Sequence, residues 1–208
     1  MRPSQRSTTS QAGFTLIELI IVLAIVGLMA VWGVPALLGM MSRIQLTTAA
    51  REAAISMQQA RAEAVKRGFP ALVQYFDGTA CGLTSGRGCF RVYVDMDADR
   101  VYTEGTDVAI GGPSPLPKGV DLWGPTDSGA EGTNAIVGFA ATDGPVFKTD
   151  GSVDVAGAFR LRDRNANFLE VRVVFPSTGK VSTKKWFGGG NPNTNWWENG
   201  ESGHEWTW

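Results

Sequence analysis

From Phe14 to Met41 the chain carries one charge, Glu18, and meets no second one until Arg43; most other positions are Leu, Ile, Val, Ala, Met or Gly. As a helix, this run of about 28 residues reaches roughly 42 Å, whereas a bilayer crossing needs ~20 residues. The pattern therefore predicts a transmembrane helix over 14–41. From Ile44 onward the spacing changes: Ile44, Leu46, Ala49, Ala50, Ala53, Ala54, Ile55, Met57, Ala60, Ala64 and Val65 recur at three and four, interleaved with Arg51, Glu52, Gln58, Arg61, Glu63 and Lys66. That period predicts an amphipathic helix over 42–67, with Lys66 and Arg67 in its last turn and Gly68 just beyond it. Within the apolar half, Pro35 lacks the amide that an interior turn uses, so a kink is expected there.

Beyond Pro70 the helical period gives way to short runs of β-branched and aromatic residues. Ala71 to Phe76 and Cys89 to Val94 read as a hairpin, and Asp107 to Ile110 and Ile136 to Ala140 as weaker strands. Phe159 to Arg164, Leu169 to Phe175 and Lys180 to Trp186 read as an antiparallel meander, turning at Asn165-Ala166-Asn167 and at Pro176-Ser-Thr-Gly179. Gly179 is the residue there that takes a positive φ without steric cost. The Gly/Pro-rich stretch 111–132 reads as a long surface connection, and 188–208, rich in Trp, Gly and Asn, as a flexible tail whose Trp196, Trp197, Trp206 and Trp208 are expected to dock on protein, the chain's own sheet or another pilin, rather than on an external ligand such as glycan. The expected class is α+β: a long N-terminal helix, half transmembrane and half amphipathic, packed on an antiparallel β-rich domain over 68–187.

With 208 residues there is room for that helix and one globular domain. The net charge of -1 conceals an asymmetry: residues 77–156 carry five basic and twelve acidic groups, and residues 157–187 carry seven basic and two acidic. The polar leader, residues 1–13, holds Arg2 and Arg6, so the positive-inside rule keeps it cytoplasmic and exports the C-terminal part. Cys81 and Cys89 flank a Gly-rich segment in that exported part, where an oxidising compartment favours a disulfide closing the loop.

At the membrane boundary, Gly13-Phe14-Thr15-Leu16-Ile17-Glu18 resembles the class III leader of type IV pilins and pseudopilins. That resemblance implies cleavage after Gly13 by a prepilin peptidase and N-methylation of Phe14. It also implies that Glu18 meets the N-terminal amine of a neighbouring subunit during assembly. An intramembrane carboxylate is tolerated when it finds such a partner. The segments from Met57 to Gly68, Phe90 to Asp95 and Val173 to Val181 are similar to the branch that groups the H-type pseudopilin of type II secretion with minor pilins of the FimT and FimU kind. The implied protein is a non-enzymatic minor pilin or pseudopilin at or near the tip of a filament. It would be anchored once in the inner membrane before entering a periplasmic pseudopilus or a surface pilus. Its partners would be other pilins or pseudopilins and the prepilin peptidase.

No nucleophile elbow or phosphate loop is present, the sole histidine is His204, and no cofactor or small-molecule substrate is expected. Asp95, Asp97 and Asp99 alternate as at the start of a calcium loop, but Arg100 stands where such a loop has Gly and Thr106 where it has a carboxylate. The turn reads as solvated, with metal binding the weaker alternative. On the expected meander Arg160, Arg162 and Arg164 point to one face of the first strand, Arg172 lies on the second and Lys180, Lys184 and Lys185 on the third, a set of cations able to track a phosphate backbone. This makes a DNA-binding minor pilin, acting in DNA uptake, the alternative function. Certain FimT-like pilins use a Gly-Arg-Val-Arg motif, of which Gly179-Lys180-Val181-Ser182 keeps only the first cation. Solvated strand faces are the simpler reading.

Overall fold

Alternating burial along one helix organises the fold. A computed structural model describes residues 14–76, 78, 81, 88–125, 134–139 and 144–207. Its helix α1 runs Leu16–Arg67 without interruption, and Pro35 lies inside it. The chain forms two units, Met1–Met40 and Met41–Trp208. In the first unit the large apolar side chains stand exposed, Phe14 at 90% just ahead of α1 and Trp32 at 81% within it. By length and composition this stretch is able to cross a membrane.

In the second unit, Ser42, Leu46, Ala49, Ala50, Ala53, Ser56, Met57, Ala60 and Ala64 are buried. They sit three or four apart, which is one face of a 3.6-residue helix. The alanines matter because a methyl group lets strands approach the helix closely without leaving voids.

Two antiparallel sheets cover that face. One contains β1 (Ala71–Phe76), β2 (Cys89–Val94), β3 (Val108–Ala109), β4 (Ser114–Pro115) and β7 (Val146–Phe147), in the order β3-β2-β1-β7 with β4 also on β2. The other contains β5 (Val120–Leu122), β6 (Ile136–Val137), β8 (Gly157–Asp163), β9 (Phe168–Phe175), β10 (Lys180–Trp186) and β11 (Trp196–Trp197), in the order β11-β10-β9-β8-β5 with β6 also on β8. Val73 opposite Val92 turns inward from the first sheet, and Phe159 opposite Val171 and Leu161 opposite Leu169 from the second. All six join the buried face of α1 in one core. The Phe90 and Phe159 rings, 4.9 Å apart, bridge the sheets.

The α+β architecture matches the expectation, with two differences. The stretch expected as a bare connection over 111–132 carries β4 and β5 in its described part, and Leu116 and Val120 enter the core at 2% exposure. Pairings of two or three residues leave no alternation to read. Residues 188–207, a flexible tail by their low complexity but with tryptophans expected to dock on protein, fold back on the chain's own sheet so that Trp196 pairs with Trp186 and Trp197 with Lys185. Trp196 is buried to 8% exposure. Its indole donates to the Pro192 carbonyl at 2.7 Å, and the Trp206 indole donates to the Trp197 carbonyl at 3.1 Å. Burying large indoles with their N–H groups satisfied outweighs the low sequence complexity.

Candidate functional site

Glu18 occupies the first turn of α1 and is held there by Thr15. The Thr15 amide donates to Glu18 Oε2 at 2.9 Å and the Thr15 hydroxyl to the same oxygen at 3.0 Å. In return the Glu18 amide donates to Thr15 Oγ1 at 3.3 Å. This is a capping box: side chains at the cap and at the third helical position satisfy each other's free amides. The carboxylate also lies at the positive end of the helix dipole. Around it Phe14, Leu16, Ile17 and Leu19 are all exposed. Gly13 and the rest of the leader lie outside the described residues.

The seven basic residues of the meander do not make one free face. Arg160, fully buried, donates through Nε to Glu170 Oε2 at 2.8 Å, and Glu170 is fully buried as well. The Arg160 fork also donates to Asn193 Oδ1 at 2.9 Å and to the Asn134 carbonyl at 3.3 Å, and its guanidinium lies 5.0 Å from the Trp196 ring centre. Arg172 donates to the other Glu170 oxygen at 2.5 Å. Arg162 stacks 4.1 Å from the Trp123 ring centre and reaches Asp121 at 3.4 Å. Lys184 pairs with Glu201 at 3.5 Å.

Lys185 is 8% exposed and donates to the Thr207 carbonyl at 2.7 Å. Burial, and after it the charge of Arg43, pushes its pKa below the usual lysine range. Arg164 and Lys180 are exposed and have no ion pair among the described residues. Alternation puts Arg160, Arg162 and Arg164 on one face, but β8 ends at Asp163 and Arg164 stands exposed beyond it. What strand spacing does not reveal is that the tail and β9 cover that face.

Cys81 and Cys89 form a disulfide across a sequence separation of 8. At the end of β2, Asp95, Asp97 and Asp99 come together, with Asp95 buried and the other two exposed.

Two family models match. The prokaryotic N-terminal methylation motif covers residues 8–34, and the type II transport protein GspH model covers residues 49–179. The chain belongs to the GspH family. Over 98 residues it is 34% identical to the pilin-like protein PilA1 of Thermus thermophilus, a stretch that takes in 47% of this chain and 57% of that protein. The chain thus spans little more than half the length of that relative. No solved structure matches.

For this GspH-family chain, an apolar N-terminal helix together with the methylation motif fits an inner-membrane anchor. Pilins and pseudopilins are structural subunits. The residues that sequence reading passed over are Thr15, Glu170, Asn193 and Asp163. For Thr15 the signal was present, since Thr-x-x-Glu ahead of an apolar run is a capping box. Asp163 is 2% exposed and accepts from the Asn165 amide at 2.9 Å, the Asn167 amide at 2.8 Å and the Ser42 hydroxyl at 3.0 Å. It ties the β8–β9 turn to the helix, and no local pattern marked it.

Proposed function

We propose that this chain is a non-enzymatic minor pilin or pseudopilin that joins a type IV pilus or a type II secretion pseudopilus through the N-terminal half of α1. The supporting observation is a stretch of exposed apolar helix whose one carboxylate is held in its first turn by Thr15. Such a surface in water is unfavourable, and it is covered either by lipid or by the same helix of neighbouring subunits. Both described bonds to the Glu18 carboxylate run to Oε2, which leaves Oε1 to accept from the amine of the adjacent subunit.

In this reading Gly13 and Phe14 are the cleavage and methylation sites, the prepilin peptidase is the processing partner, and residues beyond the span are exported. A position at or near the filament tip suits a subunit whose globular domain carries its own role. A DNA-uptake role would rest on Arg162, Arg164, Arg172, Lys180 and Lys184, because Arg160 and Lys185 are enclosed.

Glu18→Ala tests the assembly step. The variant is expected to reach the membrane, and to yield a mature chain beginning with N-methylated Phe14 by mass spectrometry, yet to be missing from sheared filaments or cross-linked pseudopili. Normal incorporation of the variant would overturn the role given to Glu18.

A further inference from the structure

One carboxylate oxygen from each of Asp95, Asp97 and Asp99 lies within 4.8 Å of the other two. Ligands that both sit about 2.4 Å from one Ca²⁺ are at most about 4.8 Å apart, so the spread fits a single coordination sphere. Exposed acids gather in turns without any ion, and the spacing alone would decide nothing. Asp95 is what distinguishes this turn. It is 1% exposed; its Oδ2 accepts from the Arg100 amide at 3.0 Å, but its enclosed Oδ1 meets no donor among the described residues. An enclosed carboxylate oxygen without a protein donor is an exception in folded proteins, and a bound cation or an ordered water is what satisfies it.

The protein's own cations do not supply the missing charge. Arg100, the basic residue within this turn, directs its guanidinium to Asp154 at 2.6 Å. No ion pair among the described residues reaches Asp95, Asp97 or Asp99. A fourth carboxylate, Asp107, is 8% exposed and accepts from the Met96 amide at 3.0 Å and the Thr103 amide at 2.7 Å.

We propose that Asp95, Asp97 and Asp99 bind a calcium ion. The sequence objection at Arg100 is met by its backbone, which takes φ +67, the left-handed turn that a calcium loop gives to Gly at that position. The loop is further held by the Asp99 amide donating to Asp97 Oδ1 at 3.4 Å and the Val101 amide to Asp99 Oδ1 at 2.7 Å. Thr106 supplies no bidentate carboxylate, so water completes the sphere and the affinity falls in the weak class of extracellular modules, with Kd about 10⁻⁴–10⁻³ M. A partial, irregular set of carboxylates suits Ca²⁺ better than Mg²⁺, which demands a near-ideal octahedron.

The full-length chain in detergent, stripped with a chelator, is titrated with CaCl₂ by calorimetry and melted with and without the ion. Saturable binding at one site per chain is expected, with a rise in Tm of about 5 °C at about 10 mM Ca²⁺ and a smaller rise with Mg²⁺. Asp95→Asn risks the fold, so the decisive variants are Asp97→Asn and Asp99→Asn on exposed side chains. Each is expected to keep the wild-type circular dichroism and to weaken binding about tenfold or more. Absence of heat and of a Tm shift in the wild type would overturn the site, as would an unchanged response in the double variant.

Discussion

Arg160 and Glu170 face each other across β8 and β9 with no exposed side-chain surface on either, Nε to Oε2 at 2.8 Å. Removing one partner strands a charge where water does not reach it. Arg160→Ala or Glu170→Ala is therefore expected to cost about 3–5 kcal/mol of stability, whereas the paired Arg160→Met/Glu170→Leu variant comes within about 2 kcal/mol of wild type or exceeds it. Thermal unfolding of the three proteins side by side checks this, because a pair that mattered only as surface charge would show no difference between single and double variants.

The tail is part of that arrangement, since Asn193 bonds to Arg160 and Trp196 lies against it. Truncation after Phe187 uncovers the ion pair and removes β11. A loss of about 2–4 kcal/mol is expected. Trp196→Ala reproduces most of it, and Glu205→Ala, on an exposed side chain, reproduces none. Limited proteolysis gives a second readout, with cleavage in 188–207 accelerated by Trp196→Ala.

Gly179 sits at φ +60 in the β9–β10 turn, and a Cβ there would come 2.7 Å from the Gly151 carbonyl oxygen and 3.3 Å from Arg61 Cδ. Arg61 Nε in turn donates to that same carbonyl at 3.0 Å. Gly179→Ala is expected to lose about 1–3 kcal/mol by combining backbone strain with displacement of this contact. Urea unfolding compared with Thr178→Ala, at a neighbouring position outside the left-handed region, separates the turn's requirement from a general sensitivity of the loop.

Reduction of Cys81–Cys89 reopens a short loop. Chain-entropy reasoning for a loop of this length assigns about 2.5 kcal/mol to the cross-link. A Cys81→Ser/Cys89→Ser variant is expected to melt several degrees lower than the oxidised protein and to ignore reductant, while the wild type in reductant melts near the variant.

Local patterns carried the helix and the principal strands. Of the apolar positions spaced three and four apart, Leu46, Ala49, Ala50, Ala53, Met57, Ala60 and Ala64 form the buried face of α1 while Ile44, Ile55 and Val65 stand exposed, and Lys180 to Trp186 forms β10 over the same residues. Gly179 takes the positive φ that its turn required. The small strands β4, β5, β7 and β11 were not legible, because each exists through a partner far away in sequence. Charge was the least readable property. Seven cations between Arg160 and Lys185 look alike in the chain, yet two are enclosed, three are paired, and Arg164 and Lys180 are exposed without an ion pair among the described residues.

By itself the sequence determined the apolar run with one carboxylate, the amphipathic continuation of the helix and the α+β class. Those depend on periodicity and composition, which are properties of neighbouring residues. Tertiary structure decided which charges face water. It placed Asn193 and Trp196 over Arg160, tied Asp163 to Ser42, and left one oxygen of Asp95 enclosed without a donor among the described residues. The environment of an ionisable group is set by what packs on it from distant strands, and burial turns the Asp163 carboxylate into a clasp between turn and helix.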